Sequence, residues 1–224
     1  MKRYTKLGLV GLLTAIALLA ASCGGAGGMG NADEGQMEKK DRPAKEAMKG
    51  MGHSKMDGGS GGMALGMMMK NGEYSDERFI DTMVPHHEGA VDMAEVALKN
   101  AEHEEIRQLA EDIVSAQEAE IKELKSIKRE EFGTSKIPMD MSADQMRGMG
   151  METDPRSLAK ADPFDKSFID AMIPHHRSAI EMAEVAARET NNSEIKDLAK
   201  DIVEAQRREI SQMEQWRQKW YPQR

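Results

Sequence analysis

A direct repeat constrains this chain more than any other feature. Shifting the sequence by 89 residues aligns 79–127 with 168–216 without a gap, and 24 of the 49 positions are identical. Each copy carries two helical patterns. In the first, Phe79, Ile80, Met83, Val84, Ala90, Val91, Ala94 and Leu98 recur at the spacing of one broad helix face. In the second, Ile106, Leu109, Ala110, Ile113, Val114, Ile121 and Leu124 do the same. The patterns break at "KNAEHEE" in copy one and "ETNNSE" in copy two, where Asn191 and Glu194 are expected to form a capping box. Connections this short make antiparallel neighbours, so residues 75–127 and 164–221 each read as a helical hairpin, apolar on one side. Two such hairpins bury their faces most simply by pairing. The expected fold is an all-α four-helix bundle.

The flanks read differently. Lys2, Arg3 and Lys6 precede "LGLVGLLTAIALL", an apolar run too short to span a bilayer, and the run ends in "AASC". Residues 1–22 are therefore expected to be a lipoprotein signal peptide, with Cys23 bearing the lipid that anchors the chain to a membrane. Cys23 is also the single cysteine, which excludes an internal disulfide framework. Residues 24–74 hold 14 of the 20 glycines and almost no Leu, Ile, Val or Phe, so 23–74 reads as a disordered tether. Loss of the signal peptide takes the net charge from −8 to −11, which gives no electrostatic case for binding nucleic acid.

The candidate site lies in a phrase written twice, "MVPHHEGAVDMAEVA" at 83–97 and "MIPHHRSAIEMAEVA" at 172–186. Pro85 and Pro174 should kink or break their helices just before each histidine pair. Helical spacing puts His86, His87, His175 and His176 on the apolar side, with Met83, Met93, Met172 and Met182 on neighbouring turns. Antiparallel counting sets His86 opposite Gln117 and His175 opposite Gln206, with Glu120 and Glu209 one turn further on. Two readings stay open here. The glutamines and glutamates satisfy buried imidazoles that only specify the core, or they support a metal site of imidazole nitrogen and thioether sulfur. The first makes the chain a structural or partner-binding helical module.

"FIDTMVPHHEGAVDMA" and "FDKSFIDAMIPHHRSAIEMA" resemble the signature of the domain of unknown function 305 family. That resemblance implies a ferritin-like helical fold, frequent export, and in some members an association with copper handling in the cell envelope. A ferritin-type di-iron oxidase would need Glu-x-x-His on two helices, and neither hairpin contains it. An enzyme is therefore not the expected reading.

Methionine supplies the remaining signal. Fourteen of the 20 methionines lie outside the periodic segments, nine in the tether and five in the linker 128–163. In "MKGMGHSKM", Met51, His53 and Met56 offer sulfur, nitrogen and sulfur to one soft cation; in the linker, Met139 and Met141 begin an all-sulfur version. Thioethers carry no proton to lose, so acid competes with them less than with imidazole. The expectation is an envelope lipoprotein that binds, buffers or passes on copper, with silver as its chemical analogue. A copper donor or acceptor protein is the expected partner.

Overall fold

The computed structural model describes residues 61–138 and 141–222, with side chains from residue 64 onward. In chain order the elements are α1 (Gly61–Met67), β1 (Met69–Lys70), β2 (Glu73–Tyr74), α2 (Asp76–Asn100) and α3 (Glu104–Phe132). They continue with α4 (Ala143–Gly148), α5 (Pro155–Leu158), α6 (Phe164–Glu189) and α7 (Ser193–Trp220). Helix α2 packs along α3 and α6 along α7, so each repeat is a hairpin. The two hairpins join chiefly through α2 and α6, completing a four-helix bundle.

Helix α2 opens with Ser75, whose side chain accepts the Arg78 N–H, and carries Asp76 and Glu77 in its positive first turn. Helix α3 closes on Gly133 in the left-handed conformation at φ 71°, where glycine has no Cβ to strain. The capping box expected from Asn191 and Glu194 sits differently. Asn192 is the N-cap of α7, and its side chain accepts from the N–H groups of Glu194 and Ile195. Helices α2 and α6 run unbroken through Pro85 and Pro174, contrary to the expected break. Each proline removes one intrahelical bond, and burial of the apolar turns on both sides outweighs that loss.

The tether expected to be disordered as far as residue 74 is ordered over its last stretch. Asn71 and Gly72, at φ 58° and 85°, make the double left-handed turn that pairs Met69 with Tyr74 and Lys70 with Glu73. Ala64 and Met68 are fully buried beside the bundle. The linker likewise contains the short helices α4 and α5.

Two apolar clusters fill the interior. In one, Phe79, Ile80, Met83 and Val84 at the start of α2 meet Ala179, Met182, Ala183 and Ala186 at the end of α6. In the other, Ala90, Met93, Ala94 and Ala97 meet Phe164, Phe168, Ile169 and Met172. Helices α2 and α6 are therefore antiparallel and exchange clusters between 84 and 90 and between 172 and 179. The histidine pairs occupy that exchange.

The hairpin end of repeat one is held from across the bundle. His103, the N-cap residue of α3, makes no side-chain capping bond. Instead the fully buried Asp165 carboxylate accepts from the N–H of Glu102 at 3.0 Å, the N–H of His103 at 2.8 Å, and His103 Nδ1 at 2.6 Å. The His103 ring stacks on Trp220 with centroids 3.8 Å apart. Asp165→Ala is expected to lower stability by about 1–3 kcal/mol through the donors it strands. A urea denaturation midpoint equal to wild type would contradict that role.

Candidate metal centre

All four imidazoles are buried, and the His86 and His175 rings meet at an interplanar tilt of 41° with centroids 3.8 Å apart. Within each consecutive pair the rings are tilted and 6.3 Å apart. The result is a polar layer between the two apolar clusters. His86 Nε2 lies 2.7 Å from Ser178 Oγ and 3.1 Å from the Met149 carbonyl. Ser178 Oγ itself donates toward that carbonyl at 2.6 Å or the His175 carbonyl at 2.9 Å. With only acceptors left for it, His86 Nε2 carries the proton and Nδ1 holds a bare lone pair.

The second histidine of each pair reaches a carboxylate. His176 Nε2 is 2.6 Å from Glu209 Oε2 in good hydrogen-bond alignment. His87 Nε2 is 2.8 Å from Glu120 Oε2, but off the line of an N–H bond, so no hydrogen bond forms there. No hydrogen bond joins His86 to Gln117 or His175 to Gln206, the residues counted opposite them. Glu120 and Glu209 take the second histidine of each pair, while His86 finds its partners in the other hairpin and the linker. The helical step of about 100° per residue turns only one imidazole of a consecutive pair toward its own hairpin partner. Gln117 and Gln206 are buried in the same region, and Gln117 Oε1 and both Gln206 amide atoms lack hydrogen-bond partners.

This layer is incompletely satisfied. The Nδ1 atoms of His86, His87, His175 and His176 are buried with no hydrogen bond, as are His87 Nε2 and His175 Nε2. Burial pushes the His86 and His175 imidazoles well below their ordinary range, and the neighbouring histidines push in the same direction. Both are neutral ligands in waiting. Among the described residues, no three His, Cys, Asp or Glu side chains converge to hold an ion by themselves. Any ion here would rely on imidazole pairs and sulfur.

Met83 and Met182 pack in the cluster on one side of the layer, and Met93 and Met172 in that on the other. Met141 is half-buried against the first cluster, away from the histidines in the contacts it makes. Met51, His53, Met56, Met139 and Cys23 lie outside the described residues. The sequence reading missed the linker's part in the site. Gly148, Met149 and Gly150 are buried where the linker crosses α6. Gly150 sits at φ 70°, and a Cβ there would lie 3.1 Å from the His175 Cα and the Pro174 carbonyl oxygen. That close approach is what brings the Met149 carbonyl to His86. Ser178 and its repeat counterpart Gly89 were equally invisible as site residues.

A duplicated hairpin bundle with two buried His-His pairs defines a class. The chain belongs to the family described as Domain of unknown function (DUF305), whose model matches residues 27–128 and 76–217. The chain is similar to CopM, solved in metal-bound forms. It is 40% identical to the Cu(I)-bound form with a TM-score of 0.59, and 43% identical to the Cu(II)-bound form with a TM-score of 0.61. Each match covers 66% of this chain and 99% of CopM. A DUF305 fragment from Deinococcus radiodurans is 27% identical with a TM-score of 0.57, over 62% of this chain and 92% of the fragment. An uncharacterized protein, L153, of Acanthamoeba polyphaga mimivirus is 43% identical over 49 residues, 22% of this chain and 32% of that protein.

Proposed function

We propose that this protein binds Cu(I) in the histidine layer and buffers it or passes it to a partner protein in the cell envelope. One observation carries the reading. The Nε2 protons of His86 and His176 face oxygen acceptors, which leaves their Nδ1 lone pairs buried and unpartnered. Imidazole ligands of metals are commonly oriented in this way, through the ring N–H they do not use. The 6.3 Å spacing within each pair is wide enough to admit an ion at nitrogen distances of roughly 2 Å, and the 3.8 Å contact of His86 with His175 is not.

The choice of ion follows from charge and softness. Neutral imidazoles flanked by thioethers suit a soft monocation, and a single charge costs far less to bury than a double one. Glu120 and Glu209, each about 15% exposed, sit behind His87 and His176 and offset that charge. The copper and silver forms of CopM, a protein this similar, support the same assignment. Silver is expected to bind as an analogue. A purely structural layer would gain nothing from stranding so many imidazole nitrogens.

The location rests on "AASC" at the end of the apolar run, from which we read a lipid on Cys23. Anaerobic Cu(I) competition titrations on the full mature chain test the metal reading. The His87→Leu/His176→Leu variant is expected to weaken the tightest class by roughly tenfold or more. Unchanged affinity in that variant would end the reading, and an unlipidated Cys23 in the native host would end the anchor.

A further inference from the structure

The two repeats do not treat their histidines alike. At equivalent positions, repeat two has Ser178 and repeat one has Gly89. Ser178 Oγ closes over His86. At Gly89 there is no such group. A Cβ there would lie 3.0 Å from the Met151 methyl and 3.6 Å from His175 Nε2. A thioether and an unpartnered, 1% exposed imidazole nitrogen thus meet over one glycine. They line a cavity of about 340 Å³ together with Met93 and Met146.

We infer that this cavity is a thioether portal, in which Met146 and Met151 take Cu(I) from solvent and Met93 and His175 receive it. The inference rests on the reading that the histidine layer holds Cu(I). Exposure falls inward along the route: Met146 is 36% exposed, Met151 is half-buried, Met93 is 3% exposed and His175 is 1% exposed. Met146 is one of two large apolar side chains exposed among the described residues, and it stands at the cavity mouth. Asp92, Glu152 and Asp154 rim the same mouth and attract cations. Transfer is a ligand exchange at constant oxidation state. A Cu–S bond breaks, a Cu–N bond forms to the lone pair of His175 Nε2, and the proton stays on Nδ1. Each thioether is neutral and soft, so it binds Cu(I) without competing protons and releases it readily to imidazole.

The test uses the full mature chain with ¹³C-methyl methionine, assigned through Met146→Leu and Met151→Leu, both conservative in volume. Substoichiometric Cu(I) should shift the Met146 and Met151 methyl resonances. In stopped-flow uptake from a Cu(I)–bicinchoninate complex, Met146→Leu/Met151→Leu should slow loading of the histidine-dependent class roughly tenfold, with its equilibrium affinity nearly unchanged. Gly89→Ser, which fills the space over His175, should slow loading similarly. Unshifted methyl resonances would overturn the portal, and so would shifted resonances with wild-type uptake rates. The variant lacking His87 and His176 separates the two readings. Methyl shifts that persist there support the portal, whereas wild-type affinity there removes the histidine layer and the transfer step with it.

Discussion

Replacing His175 by leucine is expected to stabilise the metal-free protein while weakening Cu(I) binding by roughly tenfold or more. The two effects have one cause. Both nitrogens of His175 are buried without a hydrogen bond, so the folded state carries a desolvation cost that nothing in the metal-free protein offsets. Leucine has similar bulk and no polar atom to strand. Removing the penalty should gain about 1 kcal/mol, even after loss of the tilted ring contact with His86. Urea denaturation with a copper chelator present measures the first effect, and competition titration the second. A histidine kept for stability behaves in the opposite way. If His175→Leu lowers the denaturation midpoint and binds Cu(I) normally, the layer is structural.

Acid should destabilise the metal-free bundle steeply. His86 and His175 are held well below their ordinary range by burial first and by the neighbouring histidines second. An unfolded chain takes up protons at both groups near pH 6.5, while the folded chain resists until lower pH. The stability they leave intact above pH 6.5 is therefore lost as pH falls below it, at about 1.4 kcal/mol per pH unit for each group and about 2.7 for both. The loss stops only when the folded imidazoles themselves protonate. Glu120 and Glu209 face the other two histidines, His87 and His176, so they do not shield this pair directly. Denaturation midpoints between pH 7 and pH 5 measure the slope. His86→Leu/His175→Leu should flatten it, and an equal slope in that variant would assign the effect elsewhere. Bound Cu(I) occupies the same lone pairs and should flatten it too. Cu(I) binding through these two imidazoles should therefore persist to lower pH than binding through exposed ones.

The hairpins were legible because their information is local. Phe79, Ile80, Met83 and Val84 repeat at helix spacing, and the structure buries them. Val91, Leu98, Val114 and Ile121 fit the same spacing but are half-buried, because they lie at the edge of the apolar stripe. Met93 and Ala97 take the centre instead. The histidine layer was half legible. Periodicity placed the imidazoles inside, and counting found Glu120 and Glu209, but not that they meet the second histidine of each pair. The linker's role was not legible at all. Whether Met149, Gly150 and Met151 touch α6 depends on where the connection between α3 and α6 crosses the bundle, and no spacing rule records that. Likewise the Asn71–Gly72 turn is an ordinary hairpin signal, hidden inside a segment whose composition argued for disorder.

The difference between Gly89 and Ser178 has a consequence for ancestry and directionality. Two separate copies of one hairpin, assembled about a twofold axis, must present the same residue at both positions. Their metal layer would be equally open, or equally shut, from either side. Fusing the copies into one chain releases that constraint, since each half is then free to change alone. It also supplies a single linker, which lies over one side of the crossing and has no counterpart on the other among the described residues. A duplicated core carried on one chain can thus have a front and a back.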